Sequence, residues 1–210
     1  MAGIVQVMVP QDAGPRVPPM PVVALVASAG GVEALTRLLA ALPPDLPAAI
    51  LVALHISPDR PSQLVSIFGR HAALPNRLAE DRTSLRPGVV LVAPPGRHLL
   101  VTSDLRVGLI ATGDAPPSRP SADLLLATLA VSRGPRALAV VLTGLGHDGQ
   151  AGVRAVAHCG GTVLAQDSAT SAHFAMPAAA VATGVVRHVL PLDELAPAIV
   201  AHATAAWADA

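Results

Sequence analysis

The sequence has no tyrosine and no lysine, and only one tryptophan and two phenylalanines among 210 residues. Without aromatic residues to stack on bases, and with 14 basic residues balanced by 14 acidic ones, it offers no nucleic-acid-binding platform. All the basic residues are arginine, so the lysine that grips the phosphates in a P-loop is missing. The single cysteine, Cys159, excludes an internal disulfide and fits a reducing compartment. No apolar run reaches the roughly 18 residues needed to span a bilayer. No charged n-region followed by an apolar h-region marks a secretory signal. These absences together point to the cytoplasm, with neither nucleic acid nor membrane insertion among the expected partners.

What the chain has instead is apolar residues, 52% of the total against 13% charged. Its length suits one α/β domain with a sizeable core. Residues 1–20 are rich in Pro and Gly and read as a flexible leader, with Ile4 to Val9 as a docked edge; the domain is expected over 21–206. Pro21 to Ala27 is a continuous apolar run, the pattern of a strand buried on both faces. After Ser28-Ala29-Gly30-Gly31, apolar residues recur at helical spacing up to Leu42, where Pro43-Pro44 stops the helix. Ala48 to Leu54 is a second buried strand ending at His55, followed by a loop at Ser57 to Pro61 and a helix over Gln63 to His71. Gly88 to Gly96 reads as a strand closed by a turn. Leu99 to Thr102 and Leu105 to Ile110 flank Ser103-Asp104 as a hairpin.

Gly113 to Pro120 is a Pro-rich loop, after which Ser121 is placed to cap a helix. Ala137 to Leu142 is a strand running into Thr143-Gly144-Leu145-Gly146-His147-Asp148-Gly149. The alternation continues with helix Gln150 to His158, strand Thr162 to Gln166, helix Pro177 to Thr183, strand Val185 to Leu190 and helix Leu192 to Ala206. Short buried strands alternating with helices predict a three-layer α/β/α domain with a mostly parallel, doubly wound sheet and one β-hairpin excursion.

Three polar residues fall at carboxyl ends of such strands: Ser28, His55 and Asp148. In an open parallel sheet those ends lie on one edge, where ligands bind. A serine hydroxyl needs a base to become a nucleophile, and the imidazole needs a carboxylate to fix its tautomer and stabilise its cation. Each residue also has a plainer reading: Ser28 as a helix cap or anion site, His55 as a surface or core residue, and Asp148 as the cap of the helix that follows it. A dinucleotide site lacks its G-x-G-x-x-G, and His55 stands where a ribose-binding carboxylate belongs. His147, Asp148, His158, Cys159 and His173 cluster in sequence without zinc-type paired spacing.

Several short motifs in order resemble the catalytic domain of the CheB-type protein-glutamate methylesterases over roughly residues 21–200. They are Ala27 to Gly31, His55-Ile56-Ser57-Pro58, Leu85 to Gly88, Ala93 to His98, Arg119 to Asp123, Leu142 to Gly149, Gly160-Gly161 with Ala165-Gln166-Asp167, and Met176-Pro177. The resemblance implies hydrolysis of γ-glutamyl methyl esters on the helical cytoplasmic region of methyl-accepting chemoreceptors, with deamidation of receptor glutamines as a related activity and no cofactor. It implies Ser28 as nucleophile, His55 as base and acid, Asp148 as orienter, backbone at Ala29 and Leu145 for the oxyanion, and His98, Arg119, Ser121 and Met176 along the crevice. The family's N-terminal receiver domain has no counterpart in the twenty residues before the domain, so a stand-alone form is expected, with a separate response regulator as a further partner. Val26 and Ala29 replace the family's usual Gly and Thr or Ser around the serine, which motivates the alternatives of a receptor-binding module with weakened catalysis or an esterase or amidase for another protein substrate.

Overall fold

The computed structural model describes residues 20–56, 62–111 and 120–208. The leader, apart from Met20, the loop at 57–61, most of the Pro-rich loop at 113–120 and Arg119 lie outside the described residues. No helix among the described residues is long and apolar enough to cross a membrane.

The chain opens with β1 (Val22–Ala27), α1 (Gly31–Ala40), β2 (Ala49–Leu54) and α2 (Leu64–Gly69). Two short strands, β3 (Asn76–Leu78) and β4 (Val90–Val92), precede a hairpin of β5 (Arg97–Val101) and β6 (Val107–Ala111). Then come α3 (Ala122–Arg133), β7 (Ala137–Val141), α4 (Gln150–His158), β8 (Thr162–Gln166), α5 (Ala175–Val181), β9 (His188–Leu190) and α6 (Leu192–Ala208). Seven strands form one sheet in the order β3-β4-β2-β1-β7-β8-β9, every pair parallel, while β5 and β6 pair only with each other.

Every residue of β1, β2 and β7 is buried, which is why these strands read as unbroken apolar runs rather than as alternation. The pleat sends successive side chains to opposite layers. Val22, Ala24 and Val26 join one core with Leu125, Leu126 and Leu129 of α3 and Val153 and Val156 of α4. Val23, Leu25 and Ala27 join the other with Leu35, Leu38 and Leu39 of α1 and Leu195 and Ile199 of α6. Each such Val or Leu side chain contributes about 1.5–3 kcal/mol by burial, so the sheet centre is the most strongly held part of the fold.

Departures from the sequence reading cluster at the periphery. β3 has no apolar pattern and two of its three residues are exposed; it is a sheet edge, paired only with β4, so neither face demands hydrophobic residues. The last strand shrinks to His188–Leu190 at the opposite edge. α5 begins at Ala175, two residues before Pro177. Proline is accommodated there because amides in the first turn have no intrahelical acceptor to lose.

From β1 the chain winds outward through β2 to β4 and β3, then returns across α3 to β7 on the other side of β1. The strand order therefore reverses between β1 and β7, and a crevice opens beyond the carboxyl ends at that point. Ser28, Thr143 and Gly144 stand there, and His55 ends the next strand over.

Candidate active site

Ser28 follows β1 directly. Its amide donates to Thr143 O at 3.0 Å and its carbonyl accepts from Gly31 N at 2.9 Å, so the Ser28 turn is clamped to the end of β7 and coils at once into α1. Gly30, the N-cap of α1, has φ 78°. A Cβ there would also come 2.8 Å from Ala172 Cβ, so position 30 needs glycine on both counts. Gly144 is required for a different reason: a Cβ on it would lie 2.9 Å from Ser28 Cβ and 2.8 Å from Met176 Sδ. The backbone after β7 thus passes directly against the serine.

His55 sits opposite Ser28 on the neighbouring strand, because Ala27 pairs with Leu54 and His55 N donates to Ala27 O at 3.1 Å. Adjacent strands lie about 4.8 Å apart, which puts imidazole and hydroxyl on the same stretch of sheet edge. His55 Nε2 meets Asp148 Oδ2 at 2.8 Å. An ionised carboxylate only accepts, so Nε2 carries the proton and Nδ1 of the neutral ring holds the free lone pair. The Ser28 hydroxyl and His55 share no hydrogen bond; in catalytic pairs such contacts commonly tighten only in the complex with substrate.

Asp148 does not cap the helix that follows it. Gly149 is the N-cap of α4, and the Asp148 carboxylate instead closes the N-terminus of α3. Oδ2 accepts from Ala122 N at 2.7 Å, and Oδ1 accepts from Asp123 N at 3.1 Å and the Ser121 hydroxyl at 3.3 Å. With His55 Nε2 counted, Gly149 N is the fifth donor, at 3.0 Å. Burial by itself would raise the Asp148 pKa, but the hydrogen bonds from His55, Ala122 and Asp123 outweigh it and hold the carboxyl below its ordinary value. The neighbouring Asp123 carboxylate accepts from Gly152 N at 2.7 Å, tying α3 to α4. Its pKa is raised, chiefly by burial and further by the Asp148 charge.

The crevice reading of His98, Ser121 and Met176 is corrected by their burial, at 5%, 1% and 1% exposure. They lie under the crevice rather than along it. Ser121 caps α3, accepting from Leu124 N at 3.3 Å, as its position in the sequence predicted. His98 Nδ1 accepts from Ser121 N at 3.0 Å. Met176 packs beneath Gly144, whose carbonyl accepts its amide at 2.9 Å. By contrast, the Leu145 side chain is 58% exposed, and among the described residues neither its amide nor that of Ala29 donates a hydrogen bond.

Two residues to which the sequence reading assigns no role support the site. Thr143 Oγ1 lies 3.0 Å from Ala29 O and accepts from His173 N at 2.9 Å, joining three loops at the edge. Gln166, wholly buried, accepts from Thr143 N through Oε1 at 2.9 Å and donates through Nε2 to Thr170 O at 2.9 Å. The available signal was an uncharged polar residue ending a buried strand. Gln166→Leu is expected to lower stability by about 1–3 kcal/mol in urea unfolding, since it strands a buried amide while keeping the volume; an unchanged midpoint would refute the role.

Comparison with known proteins matches this frame. A profile described as CheB methylesterase covers residues 23–199. The chain is 45% identical over 195 residues to a protein-glutamate methylesterase/protein-glutamine glutaminase of Moorella thermoacetica, covering 91% of this chain and 46% of that protein. It is 39% identical over 182 residues to the protein-glutamate methylesterase FrzG of Myxococcus xanthus, covering 87% of this chain and 54% of that one. The chain thus spans about half the length of these relatives. The crystal structure of the Thermotoga maritima CheB methylesterase catalytic domain superposes with a TM-score of 0.83 at 30% identity, covering 87% of this chain and 98% of that domain. A sheet that reverses at Ser28, a full-length match to the solved catalytic domain and a profile spanning both cores have one common explanation: the chain belongs to the CheB methylesterase family.

Proposed function

We propose that this chain is a serine hydrolase that removes methyl esters from glutamate side chains on the helical cytoplasmic region of methyl-accepting chemoreceptors. The observation that carries the reading is the 2.8 Å contact of His55 Nε2 with Asp148 Oδ2 beside a serine at the next strand end, in a chain of this family. Ser28 Oγ attacks the ester carbonyl carbon as His55 Nδ1 takes its proton. The resulting oxyanion is received by the amides of Ala29 and Leu145, which the described structure leaves unspent. Collapse of the intermediate expels methoxide, to which His55 returns the proton, so methanol leaves and a glutamyl-serine ester remains. Water, deprotonated by His55, then repeats the attack and frees the glutamate carboxylate and Ser28.

Asp148 orients His55 and stabilises its cation throughout, and no cofactor enters. A glutamate presented on the surface of a helix suits a site at the open sheet edge, beside the exposed Leu145 that follows Gly144. Because the M. thermoacetica relative is named also for glutaminase activity, the same acyl-enzyme formed from a receptor glutamine, with ammonia as leaving group, is a second reading. A methyl phosphonate ester warhead tests the shared step. It is expected to add covalently to Ser28, seen by peptide mass spectrometry, and to lose that reactivity in His55→Ala. Labelling elsewhere, or labelling indifferent to His55, would overturn the assignment. Parallel assays of methanol and ammonia from a receptor signalling fragment then separate ester from amide hydrolysis.

A further inference from the structure

We infer that His98, outside the proposed triad and 5% exposed, is a positioning residue for it, setting the N-terminus of α3 that holds Asp148 against His55. The inference rests on the proposed catalytic reading of that pair. Ser121 is the N-cap of α3, with extended φ −74° and ψ 126°, so its own amide points out of the helix and needs an acceptor elsewhere. His98 Nδ1 supplies it at 3.0 Å. To accept there, the neutral ring must carry its proton on Nε2.

The Ser121 hydroxyl and the amides of Ala122 and Asp123, the three α3 donors that reach Asp148, belong to the same rigid turn. Any movement of the Ser121 amide moves all of them. The hairpin is fixed along the same helix: Val101 N donates to Thr128 Oγ1 and the Ser132 hydroxyl donates to Val101 O, both at 3.1 Å. β5 therefore runs beside α3 as a splint with His98 at the catalytic end. This gives the hairpin, which the parallel sheet does not use, a part in the site. A misplacement of about 1 Å in such a constellation costs up to about a hundredfold in rate.

The test compares His98→Leu, which removes the acceptor, with His98→Asn, whose amide oxygen takes the place of Nδ1. Turnover is referred to Ser28 titrated with the phosphonate, and the His55 Nε2 proton is followed by NMR. In His98→Leu, kcat is expected to fall about 10- to 100-fold with KM within about twofold, and the His55 resonance to move upfield as its bond to Asp148 loosens. His98→Asn should recover most of both. His98→Gln, which carries its oxygen at the Nε2 position instead, takes the place of Leu if that variant does not fold. Unchanged kcat per titrated site in His98→Leu, or Asn no better than Leu or Gln, would overturn the inference. Failure of the proposed reaction would look different: no methanol from the unmodified protein, while the His55 resonance still answers to His98.

Discussion

Ser28→Ala is expected to release methanol from a methyl-esterified receptor fragment about 10⁴- to 10⁶-fold more slowly than the unmodified protein. The whole of that loss should be chemical. Among the described residues the Ser28 hydroxyl makes no hydrogen bond, and the turn is held by backbone, through Ser28 N to Thr143 O and Gly31 N to Ser28 O. Deleting the oxygen should leave unfolding within about 0.5 kcal/mol. Receptor binding should persist, because the backbone-held turn keeps its shape and Leu145 beside it stays exposed. Residual hydrolysis above the uncatalysed rate would come from the oxyanion donors and substrate positioning alone. A folded Ser28→Ala protein with activity within about tenfold of the original would sink the nucleophile assignment. A protein that binds receptor but whose serine never reacts would point instead to a binding module.

The parts of the fold legible in the sequence are those with a strong apolar pattern, unbroken in strands buried on both faces and recurring at helical spacing in α4. Helix Gln150–His158 and strand Thr162–Gln166 have the bounds the apolar pattern gives, and Ser28 and His55 were found because each ends such a run. β3 escaped because an edge strand with one partner needs no apolar signature. That the Asp148 carboxylate also closes the N-terminus of α3 was hidden for a different reason. An aspartate before Gly149-Gln150 has all the local marks of a cap for α4, yet the donors it serves are at Ala122 and Asp123, 26 and 25 residues earlier. Capping of a distant helix leaves no trace in local spacing. The same holds for His98, whose partner is 23 residues away; the family resemblance implies a place along the crevice, whereas the side chain is buried. Val26, which departs from the family pattern, is fully buried in the core shared with α3 and α4, so the departure is absorbed by packing.

Asp148→Asn should separate geometry from charge. An amide presents one oxygen and one NH2 where the carboxylate presents two acceptors. With its oxygen left to Ser121, Asp123 and Gly149, the NH2 faces both Ala122 N and His55 Nε2. The imidazole can then only accept at Nε2, which moves its proton to Nδ1 and leaves no base toward Ser28. An equivalent tautomer error in serine proteases costs about 10⁴ in kcat, and a loss of that order is expected here, with KM little changed. The orphaned Ala122 amide adds a stability cost of about 1–3 kcal/mol. The pH dependence follows from the direction of the Asp148 shift. Its pKa in the folded protein lies below the ordinary value, so the unfolded chain takes up the proton first as pH falls. The stabilisation is complete above the unfolded carboxyl's pKa of about 3.9, declines as pH drops below it, and is exhausted once pH passes the folded value. Urea titrations from neutral to acid pH should therefore show the unmodified protein losing stability more steeply below about pH 4 than Asp148→Asn, which has no carboxyl there to titrate. Parallel curves would mean that the donors at the head of α3 do not hold an ionised carboxylate, and would remove the basis for Asp148 as the orienter of His55.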